Sequence, residues 1–203
     1  MENDSYKTLQ KPTEEVRFTL RGSKFYGYAF PLLREDEAGN LLDQLADRYR
    51  RATHLCYAWQ WGVHQPCFRI QDDGEPTHSA GMPIYGQIQA CGLTNVLVAV
   101  IRIFGGTKLG IGGLIQAYRT TSKMALESGI VITKTLHQEY ELFFDYSSLD
   151  RVLKLIKHWN IAILSQDLQM RCILKIGVRL KLSRTIKSLF EDLPGVVIQE
   201  VGS

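Results

Sequence analysis

The final third of the chain alternates between the apolar spacings of strands and helices in an order that few folds accommodate. Strand patterns are found at 136–146, 161–164, 169–182 and 196–201, with a turn predicted at 165–168. Helical patterns begin near Ser148 and at 183, and the second one ends at Pro194-Gly195. The order is β-α-β-β-α-β, which restricts this part of the chain to a four-stranded sheet with two helices on one face.

This order predicts a C-terminal domain with a ferredoxin-like fold. We place the boundary before Lys134, so the sequence predicts domains at 1–133 and 134–203 in a chain of the α+β class. The third strand of the second domain puts Arg171, Lys175 and Arg179 on the face opposite its core residues. An exposed cationic sheet face predicts contact with a nucleic-acid backbone. Charged residues on a solvated strand, however, usually serve solubility.

The first domain mixes strands and helices around one strand that must lie inside a sheet. Asn95–Phe104 is a nearly continuous apolar run of strand length, as expected for a central strand. Further strands are predicted around a turn at 21–24, at 54–61 and at 67–70. Helices are predicted from Glu35, at 82–90, and in a segment that contains Leu114 and stops at Gly129. The sequence therefore predicts an α/β arrangement for this domain.

The glycine loop, Gly105–Gly113, is the first candidate site and directly follows the buried strand. Its candidate ligand-binding residues are Gly105, Gly106, Thr107, Lys108, Gly110, Gly112 and Gly113. A strand, a glycine-rich loop and a helix in succession can present backbone N–H groups to an anion such as phosphate. The P-loop and G-x-G-x-x-G fingerprints do not fit, because Ile111 follows Gly110 and Ile115 stands where a glycine is needed. Close packing of the helix on the sheet explains the glycines equally well.

The acidic turn, Asp72–Glu75, is the second candidate site. Asp72, Asp73 and Glu75 place three carboxylates within four residues, which suits a hard cation such as Mg²⁺ or acid–base chemistry. Acidic turns are also common because Asp favours tight turns. The histidines His54, His64 and His78 lack the spacing of a zinc site. We therefore assign no metal or cofactor from the sequence and keep Mg²⁺ at the acidic turn as an alternative.

Composition excludes several classes of protein. An apolar share of 45% and a net charge of only +3 are those of a globular protein with a real core, not of a disordered or strongly basic chain. The longest apolar run, Val96–Ile101, is too short to span a bilayer, and Met1–Glu15 lacks the apolar segment of a signal peptide. The four cysteines form no C-x-x-C pair. We expect a cytoplasmic protein with no membrane partner and no DNA sequence-specific motif.

Four segments of the first domain together resemble the YigZ/IMPACT family. They are R-G-S-K-F at 21–25, A-T-H-L-C-Y-A-W at 52–59, D-D-G-E-P-T-H-S-A-G-M-P at 72–83 and R-I-F-G-G-T-K-L-G-I-G-G-L-I-Q-A-Y at 102–118. Ser79 stands where relatives more often have Thr, which keeps the hydroxyl. The second domain is similar to the C-terminal module of the bacterial YigZ branch, so the resemblance extends over nearly the whole chain.

The resemblance implies a ribosomal protein S5 domain 2-like α/β fold for the first domain and a module similar to one of elongation factor G for the second. It nominates the acidic turn with Pro76, and the glycine loop with Leu109, as a shared surface. It also implies RNA, the ribosome or a translation-related protein as partner, because eukaryotic family members regulate translation. The resemblance nominates no catalytic residue. The alternative is an enzyme or sensor that binds a phosphorylated ligand or nucleotide at the two candidate sites.

Overall fold

The computed structural model describes residues 4–201, which separate into two compact units. The first unit is Tyr6–Thr133, and the second contains the chain from Lys134 onward together with Asp4 and Ser5. The boundary between the units thus falls after Thr133, where the periodicity of the sequence changes. Asp4 and Ser5 belong to the second unit although they are far from it in sequence. Within residues 4–201, none of the helices is long and apolar enough to cross a membrane.

A five-stranded antiparallel sheet forms the centre of the first unit. The elements up to Thr135 are β1 (Ser5–Leu9), β2 (Val16–Leu20), β3 (Ser23–Pro31), α1 (Glu37–Arg48), β4 (His54–Trp61), β5 (Cys67–Gln71), α2 (Gly81–Ala90), β6 (Val96–Ile103), α3 (Gly110–Glu127) and β7 (Val131–Thr135). The strand order in the main sheet is β2-β3-β6-β4-β5, and β1 pairs with β7 in a separate two-stranded sheet. The third predicted helix is α3, which starts at Gly110 within the glycine loop.

Helices cover both faces of this sheet, which explains the continuous apolar run of its central strand. Residues of α2 and α3 pack on one face with Val98 and Val100, while α1 packs on the other with Leu97, Ala99 and Ile101. Successive residues of a strand point to opposite faces, so every position of β6 up to Arg102 is buried. The prediction of a central strand at Asn95–Phe104 is confirmed.

The second unit has the ferredoxin-like order that the apolar spacing predicts. Its elements are β8 (His137–Asp145), a 3₁₀ turn (Tyr146–Ser148), α4 (Leu149–His158), β9 (Ala162–Leu168), β10 (Arg171–Arg179), a 3₁₀ turn (Leu180–Leu182), α5 (Ser183–Glu191) and β11 (Val196–Glu200). The strand order is β11-β8-β10-β9, and α4 and α5 share one core with the sheet. The α+β class is thus confirmed.

Two details of the sequence prediction are wrong in this unit. The predicted turn at 165–168 belongs to β9, so the chain reverses at Gln169-Met170 instead. Every residue of β9 is exposed because the strand lies at the sheet edge, so its sequence lacks the alternation that marks a half-buried strand. The predicted strand at 169–182 is also too long, because Leu180–Leu182 forms a 3₁₀ turn before α5.

A cluster of hydroxyls around the Glu15 carboxylate joins β3 to α1. Glu15 Oε2 accepts hydrogen bonds from the hydroxyls of Tyr28 and Tyr49, each at 2.5 Å, and from Arg48 Nη2 at 3.1 Å. These donors, the Tyr28 hydroxyl foremost, hold the pKa of the Glu15 carboxyl below its usual value. Burial is the main reason that the pKa of Tyr49 is raised to about 12. At neutral pH the charged carboxylate is therefore the form that the fold stabilises.

We expect Glu15→Ala to lower the free energy of unfolding at pH 7 by about 1–2 kcal/mol, since hydrogen bonds to a charged group are lost. Glu14→Ala is the matched control, because Glu14 is an exposed neighbour. A carboxyl with a lowered folded-state pKa stabilises the fold above its unfolded pKa and loses that contribution as pH falls. Urea unfolding should therefore show the gap between wild type and Glu15→Ala narrowing toward pH 3. Equal losses for both variants at pH 7 would contradict this role of Glu15.

Candidate functional site

The segments that carry the family resemblance meet at one edge of the five-stranded sheet, which we call the motif edge. Because neighbouring strands are antiparallel, β2, β5 and β6 end at this edge and β3 and β4 begin there. The motif edge thus contains the turn at Arg21–Ser23, the start of β4 at His54, the acidic turn and the glycine loop. β5 and β6 are not neighbours, since β4 lies between them. The acidic turn and the glycine loop nevertheless follow strands that end on the same side.

A buried ion pair connects the acidic turn to the strand that leads into the glycine loop. Arg102 Nη1 donates to Glu75 Oε1 at 2.7 Å, and both side chains are almost completely buried, with 6% and 3% of their surfaces exposed. The Tyr118 hydroxyl on α3 donates to the same carboxylate oxygen at 2.7 Å. Glu75 therefore ties together the turn after β5, the end of β6 and the helix that follows the glycine loop.

Around this pair the polar groups form a continuous chain. The Cys56 thiol donates to the Tyr118 hydroxyl, with sulfur and oxygen 3.3 Å apart, and Arg102 Nη2 donates to Ser23 Oγ at 3.4 Å. The guanidinium of Arg102 also lies 5.7 Å from the ring centre of Phe25. Burial raises the pKa of the Cys56 thiol, which keeps it neutral and unsuited to act as a nucleophile. These hydrogen bonds hold the strand ends and turns of the motif edge together.

The three carboxylates of the acidic turn serve three different purposes. Asp72 accepts hydrogen bonds from the backbone N–H groups of His78, Ala80 and Gly81, and so holds the start of α2. Asp73 Oδ2 accepts from the Leu55 N–H at 2.6 Å, while Glu75 is paired with Arg102. Within residues 4–201, no group of three or more Asp, Glu, His or Cys side chains could hold a metal ion. Mg²⁺ binding at the acidic turn stays a prediction from the sequence.

Close backbone contact explains the first glycine of the loop. A Cβ atom added to Gly105 would lie 1.9 Å from the carbonyl carbon of Gly22 and 2.3 Å from the nitrogen of Ser23. The Gly105 N–H also donates to Ser23 Oγ at 3.2 Å. The loop thus lies directly on the backbone of the β2–β3 turn, so Gly105 is required by packing against a turn and not by the packing of helix on sheet that the sequence suggests.

The later glycines leave a bare surface. A Cβ atom at Gly106, Gly110 or Gly112 would meet nothing within 4 Å. Gly106 and Gly110 have φ angles of 89° and 71°, which favour glycine, whereas Gly112 has no such backbone requirement. Thr107, Lys108 and Ile111 are exposed around them. The glycine loop therefore presents backbone that a partner can approach closely.

The helices beside the loop carry almost no negative charge. The α2 sequence contains no charged residue, and the charged residues of α3 are Arg119, Lys123 and Glu127 near its end. A groove of about 530 Å³ between these helices is lined by His78, Met82, Pro83, Gly86, Gln87, Ile115 and Arg119. Its ionisable lining residues, His78 and Arg119, are both bases. The helical face next to the motif edge thus favours an anionic partner.

The cationic face predicted in the second unit also contains acids. Arg171, Lys175 and Arg179 do share the face opposite the core. Lys175 Nζ lies 2.7 Å from Glu139 Oε2, and Arg179 forms an ion pair with Asp4. By strand register, four carboxylates lie on the same face, those of Glu139, Glu141, Asp145 and Asp167. Nucleic-acid contact at this sheet stays a prediction, and the acids make it less favourable than the three cations alone suggest.

Three residues that complete the motif edge were not singled out as site residues from the sequence. All three lie in the segments that carry the family resemblance: Ser23, Arg102 and Tyr118. None of them is adjacent in sequence to the candidate residue that it contacts. Arg102 does carry a signal, because a single cation at the end of a run that must be buried requires a buried partner. The sequence could indicate that such a partner exists, but not that it is Glu75, 27 residues earlier.

Comparison with known proteins agrees with the sequence resemblance. The Impact N-terminal domain model matches residues 21–126. An IMPACT family member from Thermus thermophilus is 44% identical over 107 residues, which cover 53% of this chain and 56% of that protein. An IMPACT family member from Haemophilus influenzae is 30% identical over 179 residues, covering 86% of this chain and 84% of that protein. This chain therefore matches little more than half the length of the Thermus relative.

A solved structure shows the same fold over the full length. The crystal structure of a hypothetical protein aligns over 100% of this chain and 100% of its own, with a TM-score of 0.71 and 24% sequence identity. At this identity the similarity concerns the arrangement of helices and strands.

Proposed function

The chain belongs to the IMPACT family, and on this basis we propose that it is a translation-associated regulator that acts by binding a partner at the motif edge. The partner is RNA, the ribosome or a translation-related protein. The observation that carries the proposal is the contrast within the glycine loop, where Gly105 is required by packing but Gly112 is not. A glycine that packing does not require is explained by a partner that comes close to the backbone.

Two further features support a partner that is held by its negative charge. The loop itself contains Lys108, and α3 has a base at Arg119 and no acid before Glu127, which pairs with Lys123. The network of Glu75, Arg102 and Tyr118 keeps the loop in place before binding, so little ordering entropy is lost on association. Both features favour structured RNA, including that of the ribosome, as the first partner to test.

We expect Gly112→Leu to weaken binding by at least tenfold without loss of stability. A Cβ atom here meets nothing within 4 Å, so the leucine side chain projects from the bare surface toward the partner. Leucine is also a better helix former than glycine, so the free energy of unfolding should stay equal or rise by about 0.5–1 kcal/mol. Cosedimentation with bacterial ribosomes and filter binding to structured RNA at rising salt measure the effect.

Gly39→Leu is the matched control for this experiment. Gly39 is also an exposed helical glycine with nothing near its Cβ position, but it lies in α1 on the other face of the sheet. Binding should be unchanged in this variant. If the two variants weaken binding equally, or if the wild-type protein binds neither ribosomes nor RNA at low salt, the RNA and ribosome versions of the proposal are wrong. An affinity pull-down in which only Gly112→Leu loses its partner would then assign a protein partner.

The phosphorylated-ligand alternative stays a prediction from the sequence. It would use the same glycine loop, so nucleotides with Mg²⁺ should raise the Tm of the wild-type protein if it is correct. That shift should disappear in Gly112→Leu and persist in Gly39→Leu. A panel of phosphorylated metabolites that leaves the Tm unchanged counts against this alternative.

A further inference from the structure

The second unit contains a group of N–H donors that already holds an oxyanion, the carboxylate of Asp4. Arg179 Nε donates to Asp4 Oδ2 at 2.8 Å and Arg179 Nη2 donates to Asp4 Oδ1 at 3.1 Å. The backbone N–H of Lys181 donates to Asp4 Oδ2 at 3.4 Å. A guanidinium fork with an added backbone N–H is the donor set by which proteins hold carboxylates and phosphates alike. The donors are therefore arranged for an oxyanion of either kind.

The residues that hold Asp4 lie far from it in sequence. Its side chain is only 7% exposed, whereas the side chain of Arg179 is 41% exposed. The backbone oxygen of Asp4 accepts from the Leu136 N–H at 2.7 Å. Arg179 thus keeps an accessible side, and the group that occupies its fork is the side chain of Asp4, directly before β1. Asp4 is not part of the four-stranded sheet of the second unit, so its side chain can leave the fork without unfolding that sheet.

Arg179 is also a lining residue of a cavity, whose volume of about 360 Å³ is within the range of small-molecule sites. The apolar lining residues include Val178 and Ile186, which are almost completely buried. Trp159 and His137 line the cavity as well. The lining thus includes apolar residues, two residues with aromatic rings and the arginine that holds Asp4.

We propose that this cavity binds a phosphate monoester joined to a flat ring, as in a nucleoside 5′-monophosphate, and that its phosphate displaces Asp4 from Arg179. The phosphate takes the fork of Arg179 and the Lys181 N–H, and the ring enters the cavity beside Trp159. The same chemistry occurs in a free nucleotide and at the 5′ end of an RNA. Asp4 acts as an internal competitor, because the ligand binds only the fraction of molecules in which the fork is vacant.

The test measures the affinity of the full-length protein for AMP and UMP by isothermal titration calorimetry. Asp4→Asn removes the competing charge, so we expect it to bind at least one of these nucleotides tenfold or more tightly than wild type. Arg179→Met in the Asp4→Asn background should abolish binding. Arg179→Lys in that background keeps the charge without the fork, and should recover only part of the affinity.

Asp36→Asn is the control for the loss of an Asp from an Asp–Arg pair, because Asp36 pairs with Arg34 at an exposed position in the first unit. Its affinity should equal that of wild type. A 5′-phosphorylated RNA hexamer and its 5′-hydroxyl form distinguish the two sources: an RNA end binds only when phosphorylated. Equal affinities of wild type and Asp4→Asn, retention of binding in Arg179→Met, or absence of binding to all four probes would overturn the proposal. Near-UV circular dichroism verifies that each variant is folded.

The site is independent of the function proposed for the motif edge. Gly112→Leu should leave nucleotide binding at the cavity unchanged, and Asp4→Asn should leave the glycine loop unchanged. The two proposals can therefore fail separately.

Discussion

Replacing Arg102 with Met should lower the free energy of unfolding by about 3–5 kcal/mol, because it leaves the buried carboxylate of Glu75 without its counter-ion. The hydroxyl of Tyr118 remains as a hydrogen-bond donor, but a neutral donor does not compensate a buried charge. Urea unfolding of the wild-type and variant proteins, followed by far-UV circular dichroism, measures the loss. We also expect the variant to bind its partner less well, since β6 leads directly into the glycine loop.

Two further variants separate the buried pair from a general effect of charge. Lys123→Met removes the cation of an exposed pair with Glu127, in which both side chains are 60% exposed, and should cost less than about 0.5 kcal/mol. In the double variant Arg102→Met/Glu75→Gln neither charge remains. Its loss should be smaller than the sum of the two single losses, because the residues are in direct contact. Additive losses would show that the pair is not coupled in the way its 2.7 Å distance indicates.

The second large effect is expected for Gly105→Ala, with a loss of about 3 kcal/mol or more. The new methyl group would lie 1.9 Å from a backbone carbon of Gly22, and a backbone cannot move aside as a flexible side chain can. The β2–β3 turn and the glycine loop must then separate, which also breaks the Gly105 hydrogen bond to Ser23. Thermal and urea unfolding measure the stability, and ribosome cosedimentation measures the consequence for the motif edge.

Gly112→Ala is the control for this variant, since it places the same methyl group in the same loop. Its Cβ meets nothing within 4 Å, and alanine favours the helix by about 1 kcal/mol over glycine. We therefore expect Gly112→Ala to be as stable as wild type or more stable. A Gly105→Ala protein with wild-type stability would show that the close approach of the two turns is not needed for folding.

The chemistry of the two candidate segments could be predicted only in part. The sequence favoured neither anion binding nor close packing as the explanation of the glycine loop. The structure shows that packing requires Gly105, whereas Gly112 lies on a bare surface. The acidic turn suggested carboxylates that act together, yet Asp72, Asp73 and Glu75 point to separate partners. The number of carboxylates in a turn does not predict their partners, because each carboxylate binds the hydrogen-bond donors that the fold brings near it.

The lengths of the strands show a similar limit. β10 was recognised because its core-facing residues alternate with polar ones, whereas the extent of β9 was missed because none of its residues is buried. β1 and β7 were missed as well, since no sequence periodicity marks them. Apolar spacing reports burial, so elements at the edge of a sheet leave little trace in it.

The sequence by itself determined the features that depend on local periodicity: the α+β class, the β-α-β-β-α-β order after Thr133, the buried central strand and the family to which the first part belongs. Only the tertiary structure decided which polar groups meet. Glu75 and Arg102 are 27 residues apart and Asp4 and Arg179 are 175 apart, and strand order and chain path bring them together. The physical reason is that burial of apolar residues is encoded in short repeats, while the pairing of charges depends on which strand ends lie at the same edge of the sheet.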